Sequence, residues 1–243
     1  MYQTQNFSII VAAGKGLRMG SKIKKQYLNL EGIPILARTI MAFDNCDQIN
    51  EIVLVIPKID HDYCKKHIID PFDFVKKIYL VEGGNKRQDS VLNGLNCVHD
   101  IMSLNKEVKE VIALIHDGVR PFVNHNIIED CIQNAIEYGA CIPGVKITDT
   151  VKQLGCDLSI QKTINRQFLY AAQTPQTFKI ELILRAFEHA RKTGFSGTDD
   201  ASLVEHLGDK VVIAKGSKLN IKITTKQDLV LGKFLLRTAN EIS

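Results

Sequence analysis

The stretch SIIVAAGKGLRMG, Ser8–Gly20, decides how this chain is read. A short apolar run passes directly into a loop with three glycines and two cations. Glycines let backbone N–H groups approach phosphate oxygens closely, so a loop of this kind at a strand end points to a phosphate compound. Just downstream lie Lys22, Lys24 and Lys25, which with Lys15 and Arg18 put five cations into eleven residues. Such a cluster offsets a charge like that of a nucleoside triphosphate. A lone basic run would suggest only a solvated loop, but here it follows a buried strand and three glycines. Of two familiar loops, the dinucleotide fingerprint is disfavoured and the Walker A loop is excluded. The spacing G-x-G-x-x-x-G is one residue longer than the dinucleotide fingerprint, and the position twenty residues past Gly16 is Leu36, inside a helical pattern, where that fingerprint needs an acid. A Walker A loop needs Gly-Lys-Ser/Thr, which is absent from the loop.

Outward from this loop, apolar runs alternate with helical patterns. Phe7–Ala12, Glu51–Ile56, Lys77–Glu82 and Glu110–Ile115 are short and rich in Val, Ile and Leu, as expected of strands covered on both faces. Ile35, Leu36, Ile40 and Phe43 share a helical face, as do Val91, Leu95 and Val98, and as do Ile127, Ile128, Cys131, Ile132, Ala135 and Ile136. This order predicts an α/β fold with a mostly parallel sheet and helices on both faces. The 243 residues carry 45% apolar and 24% charged side chains, ordinary for a globular chain. The net charge of +4 is too small to argue for nucleic acid and suits anionic small molecules. Six scattered cysteines without a C-x-x-C pair read as reduced thiols, and neither a signal pattern nor an apolar run of membrane length is present. A cytoplasmic protein without nucleic-acid or membrane partners is expected.

One segment breaks the rhythm. Gly144–Ala171 alternates in polarity and turns near Gly155, which predicts an extended hairpin: either a protruding arm that pairs with another chain or an ordinary surface hairpin. Beyond it the pattern predicts helices near 179–192 and 199–207, strands near 210–215 and 219–223, and a last helix from Lys226, with Thr225 and Asp228 at capping-box spacing.

Four further stretches carry chemistry. In HDGVRPF, His116–Phe122, Asp117 is a hard carboxylate at a strand end, suited to Mg²⁺ beside a polyphosphate, Arg120 offers a fork for phosphate, and His116 reads as a structural hydrogen-bonding residue. EGGNKRQDSVLNGL, Glu82–Leu95, is a strand–turn–helix whose glycine pair could also lie against a flat base. In NIKITT, Asn220–Thr225, Lys222 stands between apolar neighbours. GTDDAS, Gly197–Ser202, opens a helix with Thr198 as its expected cap.

Together these stretches, with KQYL, TDTVK, QTPQTF and TDDASLVE, resemble the 2-C-methyl-D-erythritol 4-phosphate cytidylyltransferase family over nearly the whole chain. The resemblance implies a Rossmann-like nucleotidyltransferase fold in one domain over residues 1–243, with a dimerisation β-arm at about 146–170 forming a homodimer. It implies transfer of CMP from CTP to 2-C-methyl-D-erythritol 4-phosphate, with Mg²⁺, on a route to isoprenoids. Carried over position by position, Ala12, Ala13 and Gly14 would line the cytidine and phosphates, and Gly84 and Ser90 would lie near cytosine and ribose. Arg18, Lys25 and Lys222 match the cations at the reacting phosphates, and Asp117 matches the metal-side carboxylate. Thr150, Arg166, Thr174 and Thr198 match the sugar-phosphate pocket, which Arg120 would join as a phosphate ligand. The family usually has Pro before the reactive lysine; here Lys24 stands there, and Lys25, in the Lys-Gln pair, is taken as the reactive one. A ribitol-5-phosphate cytidylyltransferase would share the CTP half. A non-catalytic nucleotide binder would not need Arg18, Lys25, Asp117 and Lys222 together.

Overall fold

The computed structural model describes residues 4–14, 24–103, 108 and 110–242. Arg18, with the rest of the loop 15–23, lies outside the described residues. The chain opens with β1 (Thr4–Val11). After the loop come a tight 3₁₀ turn at Lys25–Tyr27, a minimal hairpin of β2 (Asn29–Leu30) and β3 (Ile33–Pro34), and α1 (Ile35–Asp44). β4 (Glu51–Ile56) leads into a short helical insert over 58–69 that contains α2 (His61–Cys64). Next are β5 (Ile78–Glu82), α3 (Arg87–Ser103), β6 (Glu110–Asp117) and α4 (His125–Tyr138). α4 is capped by the Asn124 side chain, which accepts from the Ile127 N–H at 3.0 Å. It stops at Gly139, whose φ of +90° turns the chain straight into β7 (Ala140–Lys146).

The sheet order is β5-β4-β1-β6 on one side, all parallel, then the antiparallel β11 (Gln176–Lys179), then β7, which pairs with β10 (Tyr170–Ala172) and with β12 (Val212–Lys215). Four of these seven pairings are parallel, as the alternating order predicts. The continuous apolar runs divide alternately between two cores. Ile10, Leu54, Ile56, Ile112 and Leu114 face α1 and α4, while Phe7, Ile9, Val53, Val55, Ala113 and Ile115 face α3, α5 (Ile180–Thr193) and α6 (Ala201–Leu207). Burying one such side chain is worth about 1.5–3 kcal/mol, so covering both faces is what favours β-branched residues at successive positions. α7 (Lys226–Ile242) closes a third, smaller core around Leu30, Ile35, Val119 and Ile223. It starts with the expected capping box: Asp228 accepts from the Thr225 N–H at 2.8 Å, and Thr225 Oγ1 accepts from the Asp228 N–H at 3.2 Å.

The hairpin segment leaves the sheet from β7 and returns through β10. Its outer part, β8 (Val151–Leu154) with β9 (Ile160–Ile164), pairs only with itself. Three expectations need correction. β6 runs two residues further than the apolar run and includes His116 and Asp117, because both are paired across to β1. Residues 219–223 are not a strand: the Asn220 N–H bonds Ser217 O and the Ile221 N–H bonds Leu219 O, so local turns take the backbone groups that a ladder would use. Thr198 does not cap α6. Gln176 Oε1, reaching from β11, accepts from the N–H groups of Asp200 and Ala201 at 2.9 and 3.0 Å, and Asp199 accepts from Ser202 N–H at 3.0 Å.

Candidate active site

Three strand ends open one cleft. The parallel register sets Val11 opposite Asp117 and opposite Val55, and one-bond continuations hold the loops that follow: Ala12 N–H to Val55 O, Gly83 N–H to Ile56 O, and Gly118 N–H to Val11 O, all at 2.8–2.9 Å. Ligands of open α/β sheets bind at these carboxyl ends. The cavity, about 610 Å³, is lined by Ala12, Ala13, Gly14, Lys25, Gly84, Ser90, Asp117 and Lys222 among others. Eight of the residues expected at the nucleotide and the reacting phosphates therefore meet in one place.

The glycine pair is needed for its close approach. A Cβ on Gly83 would overlap that of Ala13 and come within 3.2 Å of Ser90 Oγ, so only glycine lets the two loops touch. Ser90 is buried and braces the pair: its hydroxyl accepts from Gly84 N–H at 3.0 Å and donates to Lys86 O at 3.1 Å. Gln26, also buried, donates from Nε2 to Ala12 O at 2.8 Å, tying the turn that carries Lys25 to the first loop.

On the far wall, Asp117 is a convergence point. Lys222 Nζ lies 2.9 Å and Arg120 Nε 3.2 Å from Oδ2, and Arg87 Nε lies 3.8 Å from Oδ1. Burial is the largest single influence on this carboxyl and would raise its pKa, but Lys222, Arg87 and Arg120 together outweigh it and hold the group far below the usual carboxylate range. Lys222 is brought here from a distant segment by two bonds, Ile223 N–H to Val119 O at 2.9 Å and Arg120 Nη1 to Asn220 O at 2.8 Å. Arg120 thus spends two of its nitrogens on the protein, which is the geometry of a brace. Arg87 makes a bidentate pair with the buried Asp200 at 2.7 and 3.0 Å, which couples the start of α6 to the cleft wall.

Behind Asp117, His116 is fully buried and neutral. Its Nε2 sits 3.1 Å from Arg120 O, which can only accept, so Nε2 carries the proton; Nδ1 then accepts from Thr174 Oγ1 at 2.9 Å. Thr174 Oγ1 in turn accepts from the Asp117 N–H at 3.2 Å, so this hydroxyl is a buried brace under the cleft. Burial lowers the His116 pKa to about 4. The unfolded chain, at an ordinary value near 6.5, binds this proton first, so stability is complete above about pH 6.5 and is lost as pH falls toward 4. The full loss is on the order of 3 kcal/mol. Urea unfolding at pH 7 and pH 4.5 should show it, and the slope should flatten in His116→Gln; equal slopes would exclude this source.

Thr150, Arg166 and Thr198 are exposed and do not line this cleft. Arg166 Nη1 donates to Thr148 O at the base of the arm. Among the described residues no group of three or more His, Cys, Asp or Glu is placed to hold a metal.

A parallel sheet whose strand ends gather glycine loops, basic side chains and one buried carboxylate defines a nucleotide-handling α/β enzyme. The family model of 2-C-methyl-D-erythritol 4-phosphate cytidylyltransferase matches residues 7–238, and the chain belongs to this family. The enzyme of that name from Alkaliphilus oremlandii is 46% identical over 233 residues, covering 96% of this chain and 95% of its own. That from Clostridium novyi is 44% identical over 96% and 97% of the two chains. The crystal structure of 4-diphosphocytidyl-2C-methyl-D-erythritol synthase from Anaerococcus prevotii superposes with a TM-score of 0.81 at 33% identity, covering 96% of each chain.

Proposed function

We propose that this chain transfers the cytidylyl group of CTP to 2-C-methyl-D-erythritol 4-phosphate, giving 4-diphosphocytidyl-2-C-methyl-D-erythritol and pyrophosphate, in isoprenoid biosynthesis in the cytoplasm. The observation that carries this reading is the meeting of Lys25, Lys222 and Asp117 with the glycine loops in one cleft. A phosphomonoester oxygen attacks the α-phosphorus, a new P–O bond forms, and pyrophosphate leaves with the electrons of the broken bond. The nucleophile has a second pKa of about 6 and is already mostly a dianion at neutral pH, so no general base is required. The work left to the protein is to hold two anions together and stabilise charge on the phosphoryl oxygens, which positioned cations do. Lys25 and Lys222 take that role from opposite walls, with Arg18 as a third cation. Ala12, Ala13, Gly14, Gly84 and Ser90 shape the nucleotide half. Thr150, Arg166, Thr174 and Thr198 are assigned to the sugar-phosphate half, with Arg120 beside them.

Mg²⁺ is part of the proposal. Asp117 is the one carboxylate among the lining residues, and its neighbours are cations. A single carboxylate suits Mg²⁺, which takes one carboxylate and otherwise phosphate oxygens; the ion would compete with Lys222 and Arg120 for Asp117, and when bound it would neutralise phosphate charge. Pyrophosphate release from CTP, measured with 2-C-methyl-D-erythritol 4-phosphate, with ribitol 5-phosphate and in excess chelator, tests the whole reading. Turnover is expected with the first and not with the others; turnover with ribitol 5-phosphate would reassign the alcohol, and turnover in chelator would remove the metal.

The arm is assigned to a homodimer in which a second copy covers β8 and β9. Leu154, Leu158, Ile160 and Phe168 are exposed there at 48, 78, 64 and 82%. A two-stranded pair with apolar side chains in water is marginal by itself. In a two-fold pair the arms exchange places, so that Arg166 would serve the neighbour's sugar phosphate.

A further inference from the structure

The helical insert after β4 carries a carboxylate that lies outside the cleft lining and belongs to none of the glycine or basic motifs. Asp60 receives Lys24 Nζ on both oxygens, at 2.7 and 2.6 Å, and the Tyr27 hydroxyl on Oδ2 at 3.0 Å. Lys24 and Tyr27 bracket the 3₁₀ turn Lys25–Tyr27, closed by Tyr27 N–H to Lys24 O at 3.0 Å. In a 3₁₀ turn residues three apart eclipse, so these two side chains leave the turn on the same side and can meet one carboxylate. Gln26, between them, is tied to Ala12 O. Asp60 is mostly buried, at 13% side-chain exposure, and its own backbone N–H is fixed to Pro57 O at 2.9 Å. Tyr27 is buried and packs against the tilted ring of Tyr63 of the insert, centroids 5.0 Å apart, and burial followed by Asp60 pushes its phenol pKa up, which keeps it a donor. The turn is therefore gripped at both ends from one side; Lys24 and Lys25 both line the cleft, but the Lys24 ammonium is held by Asp60.

We propose that Asp60 is a positioning residue for the transfer: it withholds Lys24 from the phosphates and holds the tight turn so that Lys25 is the lysine presented to them. This rests on the assignment of Lys25 to the reacting phosphates. Two adjacent lysines at a triphosphate cleft compete for the same oxygens, and the competitor is also the residue that would drag the turn. Pairing Lys24 with a carboxylate on a separate element removes both problems.

The test is kinetic. Asp60→Asn keeps the shape of the side chain and removes its charge; kcat should fall roughly tenfold with KM for CTP changed less than about threefold, since a displaced reacting group costs turnover more than binding. Lys24 has φ −60°, a value proline adopts without strain. Lys24→Pro added to Asp60→Asn should therefore restore most of the lost kcat, because proline supplies the constraint and removes the competing cation. A purely structural Asp60 would lower the melting temperature without this rescue. If Asp60→Asn does not fold, Lys24→Met breaks the same pair from the other side; it removes the competing cation but also the hold on the turn, so kcat should still fall, by less than about tenfold, and an unchanged kcat overturns the proposal. Unchanged kcat in Asp60→Asn, or no rescue by proline in a folded double variant, overturns the proposal. Lys25→Ala in the same assay separates the two readings. An active Lys25→Ala enzyme sinks the assignment of Lys25, whereas an inactive one beside an unimpaired Asp60→Asn sinks only the role of Asp60.

Discussion

Lys25→Ala is expected to lower kcat by roughly 10²-fold or more while CTP still binds, because a donor placed for the transition state is worth about 3 kcal/mol in sites of this kind. Lys24→Ala should cost less than about tenfold, since a misplaced turn, unlike a deleted donor, leaves the charge present. The structural reason for the difference is that, although both residues line the cleft, Lys24 Nζ is tied to both oxygens of Asp60. Steady-state rates of both variants, with CTP affinity measured independently, decide the matter. A near-normal kcat in Lys25→Ala would remove it from the chemistry, and a larger loss in Lys24→Ala would move the role one residue upstream.

Mixing two dead chains is expected to produce a live enzyme. Arg166→Ala and Lys25→Ala should each be nearly inactive alone, the first through a raised KM for the alcohol phosphate. If Arg166 serves the neighbouring chain, a heterodimer concentrates both defects in one site and leaves the other intact. Random assembly makes half of the dimers mixed, so activity should return to about a quarter of the wild-type value per site. If Arg166 serves its own chain, every site keeps one defect and mixing restores nothing. Co-expression with two tags, with the mixed species confirmed by mass, makes the outcome decisive. The exposed apolar side chains of β8 and β9 and the exposed position of Arg166 outside the cleft are what this expectation rests on.

The parts of the site legible in the sequence are those whose signal is local. Glycines at strand ends, Lys25 at the end of the cation cluster and a carboxylate two residues past an apolar run can each be read without knowing the fold, and they do come together. The capping box of α7 is equally local. What could not be read are side chains whose meaning lies in a distant partner. Asp60 reaches back 36 positions to Lys24, and Arg87 reaches forward 113 to Asp200. Gln176 caps α6 from another strand, which is why Thr198 was the natural but mistaken candidate from sequence. The place of the Thr174 hydroxyl, between His116 and the Asp117 N–H, is equally remote from its sequence neighbours. Only the antiparallel insertion of β11 between β6 and β7 brings it there. The segment 219–223 departs from its pattern for the converse reason: its composition suits a strand, but its backbone is used in turns.

The crowding of Lys222, Arg120 and Arg87 around Asp117 has a bearing on which anions the cleft admits. A cluster of bare cations would be a trap for any phosphate in its surroundings. Here Asp117, with Asp200 on Arg87, already offsets most of this charge as a resident counter-ion, so an incoming anion competes with it. A small, singly placed anion offers no more than Asp117 does and gains little by the exchange. On the proposed reading, a triphosphate that spans from the glycine loops to Lys222 offers several contacts at once, and selection by length and charge density then precedes recognition of base or sugar.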